Sequence, residues 1–210
     1  MNKRFAIFDM DGTLVDSMVY WKNLASEYLH GKGIESIAPE LMERIKPMTM
    51  SESAELFRRE FGLTGDPESE MNAMMNRHYE TDIPLKPGVR GYLQKLESRG
   101  VRMCVASTTA GPLMEACLSR LGVRDKFEFL LSCEAVGAGK ESPLVYHASA
   151  GRLGAEPGDI AVYEDALYAV RTAKNAGFHV IGVYEAGAAE NWESVVRLAD
   201  ETILNWEDAV

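Results

Sequence analysis

The spacing of apolar and polar positions changes character along this chain. Phe5-Ala6-Ile7-Phe8 is an unbroken apolar run and reads as a buried strand. From Ser17 to about Pro84 the apolar positions recur at helical spacing instead. Val19, Leu24, Tyr28 and Leu29, with Trp21 and Ala25, share one face, with Asp16 or Ser17 as the N-cap and Gly31 and Gly33 as the stop. Pro39 to Ile45 reads as a short helix with proline in its first turn. A third helix begins at Ser51-Glu52-Ser53 and runs through Leu56, Phe57 and Phe61 to Gly62. Pro67 to Tyr79 places Met71, Met74 and Met75 at helical spacing, which reads as adaptable core.

Beyond Pro84 strand and helix patterns alternate. The expected helices are Pro87 to Gly100, Gly111 to Leu121, Ser142 to Leu153, Ala166 to Ala176 and a long last one from Asn191 to Leu198. Between them lie strands at Val101 to Ala106, Phe127 to Ser132, Ile160 to Tyr163 and His179 to Val183, with an edge strand at Thr202 to Leu204. Such alternation predicts a parallel sheet with right-handed crossovers. The expected class is α/β, a doubly wound parallel sheet, with residues 1–16 and 85–210 as the core and 17–84 as an all-helical insert.

Composition narrows the function. At 210 residues, 46% of them hydrophobic, the chain suits one substantial core plus a smaller unit. The net charge of -10 argues against nucleic-acid binding, which shows a basic stripe. No segment is long and apolar enough for a bilayer, and Asp9 and Asp11 interrupt any leader-like run, so no membrane partner is expected. Three cysteines without a Cys-x-x-Cys pair fit reduced thiols and a cytoplasmic setting. A monomer is the expectation, with a dimer as its alternative.

Candidate chemistry collects at the ends of the expected strands. The first strand runs into Asp9-Met10-Asp11-Gly12-Thr13. Open α/β sheets bind ligands at the carboxyl ends of their strands. Two adjacent carboxylates need a cation or a shared proton, which suits a Mg²⁺-assisted reaction with one Asp as nucleophile and the other as acid/base. The strand at Val101 ends in Ser107-Thr108-Thr109, whose hydroxyls and backbone N–H groups can bind phosphate oxygens. Gly137-Ala138-Gly139-Lys140 sets one lysine in a glycine-flanked turn, where it can neutralise anionic charge. The strand at Ile160 ends in Glu164-Asp165, hard oxygen ligands suited to Mg²⁺. Each feature also has a plain structural reading: turn chemistry for Asp-x-Asp-Gly, a helix cap for Ser107, a solvated surface for a lone lysine, and a helix N-terminus for the acidic pair. The four histidines show no metal-ligand spacing, and Trp192 and Trp206 read as packing for the last helix and tail.

In order and position these segments resemble the phosphatase branch of the haloacid dehalogenase superfamily, over essentially the whole chain. The resemblance rests on Asp9-Met10-Asp11-Gly12-Thr13, Ser107, Lys140 and Glu164-Asp165 with Gly177 after the following helix. It implies Asp9 as the nucleophile that forms an aspartyl-phosphate and Asp11 as general acid/base. Ser107 and the Thr108 backbone would bind phosphate, and Lys140 would neutralise charge. Asp9, the Asp11 backbone carbonyl, Glu164 and Asp165 would hold Mg²⁺, with Glu164 direct or through water. Dehalogenases themselves usually lack the second Asp, so Asp11 points to phosphoryl chemistry. The chain departs from the family at Glu141 and Leu144, where Pro and Asp are common, and at Ala166, where Ser or Thr is usual. The missing Asp is expected to loosen the lysine.

The helical insert would be the family's cap, hinged at Ser17 and near Ile83-Pro84. Within it Trp21 is read as core first, with a substrate-facing role as its alternative, and Lys46 and Thr49 sit in a loop expected to meet the substrate. Relatives acting as β-phosphoglucomutase keep an Arg in that loop and a His early in the cap; Thr49-Met50 and Trp21 stand there instead. The expected activity is therefore Mg²⁺-dependent hydrolysis of a small phosphate ester of a sugar, polyol or nucleotide. A β-phosphoglucomutase-type mutase is the first alternative, and a phospho-metabolite binder without turnover the second.

Overall fold

A computed structural model describes residues 3–45 and 48–209. In chain order the elements are β1 (Phe5–Phe8), α1 (Met18–Gly31), α2 (Pro39–Ile45), α3 (Met50–Phe61), α4 (Pro67–Thr81), α5 (Val89–Ser98), β2 (Arg102–Ser107), α6 (Gly111–Arg120) and β3 (Leu130–Ser132). There follow α7 (Cys133–Val136), α8 (Leu144–Leu153), β4 (Ile160–Glu164), α9 (Leu167–Asn175), β5 (His179–Val183), α10 (Trp192–Leu198) and β6 (Glu201–Ile203).

The six strands form one parallel sheet in the order β3-β2-β1-β4-β5-β6. Strand order reverses on either side of β1, so the fold is a doubly wound α/β sheet. The central strand owes its place to its composition. All four residues of β1 are buried, and Ile7 and Phe8 are sealed on both faces. Each such side chain contributes about 1.5–3 kcal/mol relative to exposure. Around β1, Cys104, Val145, Leu153, Val162 and Val180 complete one core.

The chain divides into two compact units, residues 1–18 with 83–210, and Val19–Asp82. In the first unit the two crossings into the helical segment are stitched together. Val15 pairs with Leu85, Asp16 N–H donates to Pro84 O at 3.0 Å, and Lys86 N–H donates to Leu14 O at 2.9 Å. Among its described residues the second unit has only helices, α1 to α4, joined by loops. Leu24, Tyr28, Phe57, Met71, Met75 and Tyr79 form its interior, so Met71 and Met75 of α4 pack as core while Met74 is half-buried.

Local differences from the sequence expectation have physical causes. The strand expected from Phe127 shrinks to Leu130–Ser132, because a 3-10 turn at Arg124–Lys126 precedes it and Glu128 is drawn into a two-pronged ion pair with Arg102. The last helix is only seven residues, Trp192–Leu198, after a kinked 3-10 segment at Ala186–Asn191. Ser17 is not the cap of α1, since its buried hydroxyl makes no hydrogen bond among the described residues. No helix of the described residues is long and apolar enough to cross a membrane.

Candidate active site

Register creates the site. In the parallel pairing of β1 and β4, Phe8 lies beside Tyr163, and Asp9 N–H donates to Tyr163 O at 3.0 Å. The carboxyl ends of the two strands therefore lie side by side. Asp9, Glu164 and Asp165 offer carboxylate oxygens that all lie within 4.8 Å of one another. After Asp9 the chain turns back on itself: the N–H groups of Leu14 and Val15 donate to Met10 O, and Gly12 N–H donates to Val15 O. Gly12 sits at φ +77, and a Cβ there would lie 2.4 Å from Asp165 Oδ2. Glycine is thus required for both its backbone conformation and the close approach of the carboxylate. The Thr13 hydroxyl donates to Asp165 Oδ1 at 3.3 Å.

Lys140 follows a left-handed glycine, Gly137, that ends the single turn of α7. It is 3% exposed. Its ammonium donates to Asp9 Oδ1 and, at 2.5 Å, to Glu164 Oε1. The lysine is therefore not loosened by the absence of an Asp at position 144, because Glu164 and Asp9 grip it directly. Tyr146 on α8 donates its phenolic O–H to the same Glu164 oxygen at 2.8 Å.

The electrostatics follow from burial. Burial would lower the Lys140 pKa, but Asp9 and Glu164 overcome it and hold the lysine above its ordinary range. Burial raises Asp9, with Lys140 opposing and Asp11 adding to the rise. Glu164 is pushed up to about 8, first by burial, with Asp9 and Asp165 adding and Lys140 opposing. Asp165 is pushed up to about 7, by burial and then by Asp9. One cation thus faces three crowded carboxylates. Glu164 Oε2 is buried with no hydrogen-bond partner among the described residues. An all-oxygen donor set with an orphaned carboxylate oxygen fits a hard divalent cation.

Asp11 stands apart from that cluster. Its Oδ2 accepts from Thr109 Oγ1 at 2.6 Å and from Ser107 Oγ at 3.5 Å. Ser107, at the end of β2, is fully buried and accepts from Thr109 N–H at 3.1 Å, while Thr108 is exposed. The structure therefore brings together Asp9, Lys140, Glu164 and Asp165, and separately Asp11 with Ser107. In the helical unit Trp21 is 38% exposed, so it is not core, and its indole N–H donates to Tyr79 at 3.1 Å. Thr49 caps α3, accepting from Glu52 N–H and donating to Glu52 Oε2 at 2.9 Å. Lys46 lies outside the described residues.

Sequence reasoning missed several partners. Thr109 was visible only as one hydroxyl in a run. Thr49-x-x-Glu52 carries the capping-box signature and was readable as a cap. Tyr146 and the part-buried Lys86–Glu185 pair left no local signal. Lys86 also donates to Tyr184 O at 3.2 Å, beside a cavity of about 230 Å³ lined by Asp16, Tyr184, Asn205 and Trp206.

Known proteins place this geometry in a lineage. The family model described as haloacid dehalogenase-like hydrolase matches residues 6–183. Hexitol phosphatase A of Escherichia coli is 30% identical over 84% of this chain and 81% of its own length. Hexitol phosphatase B of the same organism is 26% identical, covering 89% of this chain and 85% of its own. A provisionally named β-phosphoglucomutase from Thermotoga maritima superposes with a TM-score of 0.83 at 23% identity, covering 98% of this chain and 95% of that one. The chain belongs to the haloacid dehalogenase-like hydrolase family.

Proposed function

We propose that this protein is a Mg²⁺-dependent phosphatase acting on a small phosphorylated metabolite through an aspartyl-phosphate. The observation that carries this reading is the convergence of Asp9, Glu164 and Asp165 around a buried lysine, with one Glu164 oxygen left unpartnered. Asp9, the Asp11 backbone carbonyl, Glu164 and Asp165 would hold the ion. Mg²⁺, when bound, supplies positive charge that offsets the carboxylates and the phosphate.

The side chains divide the work. A carboxylate oxygen of Asp9 attacks phosphorus and the bond from phosphorus to the ester oxygen breaks. Asp11, protonated, gives its proton to the departing alkoxide, so the alcohol leaves neutral. Asp11 then takes a proton from water as that water attacks the aspartyl-phosphate, releasing inorganic phosphate and restoring Asp9. Thr109 and Ser107 hold the Asp11 carboxylate in position. Ser107 and the Thr108 backbone bind the phosphate oxygens, and Lys140 opposes the upward push of burial on Asp9 and anchors Glu164.

The hexitol phosphatases among the relatives favour a sugar or polyol phosphate as the substrate class. A mutase must grip a second phosphate. Thr49, in the loop where such relatives carry Arg, has its hydroxyl engaged with Glu52, which favours hydrolysis. Phosphate release from p-nitrophenyl phosphate and from a panel of hexose and hexitol phosphates tests the proposal. Release that stops with EDTA and in Asp9→Asn is expected, and an undiminished rate in that variant overturns the reading. Conversion of β-glucose 1-phosphate to glucose 6-phosphate without phosphate release would establish the mutase instead.

A further inference from the structure

We propose that Trp206 is a positioning residue that holds Asp165 in place through Thr13. Sequence pattern gives Trp206 only a packing role. The structure gives its ring a defined seat and its N–H a defined target. The buried indole stacks on Tyr163, with centroids 5.8 Å apart and planes at 28°, and leans on Tyr92 at 4.9 Å. Held so, its Nε1–H donates to Thr13 O at 3.1 Å. Thr13 is fully buried, and its hydroxyl donates to Asp165 Oδ1. The same loop presses on Asp165 a second way, because Gly12 leaves no room for even a methyl group against its carboxylate. A loop packed this closely cannot move without moving Asp165.

The tail that carries Trp206 is itself fitted to the fold. A Cβ at Gly88 would lie 2.4 Å from Glu207 N and 2.6 Å from Trp206 C, so the tail backbone occupies a slot that glycine alone leaves open. Lys95 Nζ donates to Ala209 O at 2.9 Å and pins its end. The next carbonyl in the loop, Leu14 O, is likewise taken from afar, by Lys86 N–H. Two distant segments therefore hold the loop that follows the two expected catalytic carboxylates. Partners at one remove from a metal ligand tune its affinity.

This inference rests on the divalent-ion reading given above. It is tested by the Mg²⁺ dependence of thermal unfolding in the wild type, Trp206→Phe and Leu153→Ala. Phe keeps the ring stack and removes the N–H. Leu153, buried at the far end of α8, controls for lost stability alone. Trp206→Phe is expected to need about three- to tenfold more Mg²⁺ for half-maximal stabilisation, with Leu153→Ala unchanged. Equal Mg²⁺ dependence in wild type and Trp206→Phe, or an equal shift in both variants, overturns the role of Trp206. No response in the wild type overturns the ion reading and this inference together. If Trp206→Phe fails to fold, the protein with Trp21→Phe and Trp192→Phe decides: Trp206 emission should change with the same Mg²⁺ midpoint as stability, and constant emission overturns the proposal.

Discussion

Replacing Lys140 by Met removes one cation from between two buried carboxylates and keeps most of the side-chain volume. Removing one partner of a buried ion pair costs about 3–5 kcal/mol when the other remains charged. Here the loss has a pH signature. In the metal-free wild type Glu164 already stands at about 8 and Asp165 at about 7, above their unfolded values. The native state therefore binds more protons than the unfolded chain, so metal-free stability falls as pH rises from about 4.5 to 8. Without Lys140, which now lowers both groups, their folded pKa values rise further. Relative to wild type, each added unit costs about 1.4 kcal/mol at a pH above the new folded value and nothing well below the wild-type folded value. Urea unfolding of the metal-free variant should show a loss of about 3–5 kcal/mol at pH 8.5 and a smaller one at pH 6. An unchanged midpoint at pH 8.5, or a larger loss at pH 6, would refute the claim that Lys140 neutralises this cluster.

Other outcomes can be checked directly. Gly12→Ala combines a left-handed backbone with a clash against Asp165, so unfolding should show a loss of more than about 1 kcal/mol, and Mg²⁺ should no longer raise the melting temperature. Burial pushes the Cys117 thiol up to about 11, leaving about one in a thousand as thiolate at pH 8. Ellman's reagent should therefore titrate no thiol of the native protein within minutes and all three after denaturation. Thr49→Ala removes the cap of α3 and should lower stability by about 1 kcal/mol in urea.

Much of the fold was legible because its signals are local. The run Phe5–Phe8 has no polar position to offer solvent, so it reads as a buried strand, and the glycines at 62 and 154 sit in the left-handed conformation that ends a helix. Phe127-Glu128-Phe129 misled for the same reason: its strand-like alternation is local, but the pairing that shortens β3 belongs to Arg102 and a turn upstream. The acidic residues at two strand ends were visible as candidates from the residue pattern; their convergence on one ion was expected only through the family resemblance, because pattern alone does not say which strands are neighbours.

By its pattern of residues alone the sequence determined a parallel α/β sheet with a helical insert, and it set Asp9, Asp11, Glu164 and Asp165 after strands. Which strands lie side by side, and in what register, only tertiary structure decided. That register puts Asp9 next to Glu164, buries Lys140 between them, and brings Tyr146 and Trp206 to bear on the site. The reason is physical: periodicity reports which face of an element is dry, whereas a hydrogen bond across 193 residues depends on how dry faces pack, and packing is settled by the whole core at once.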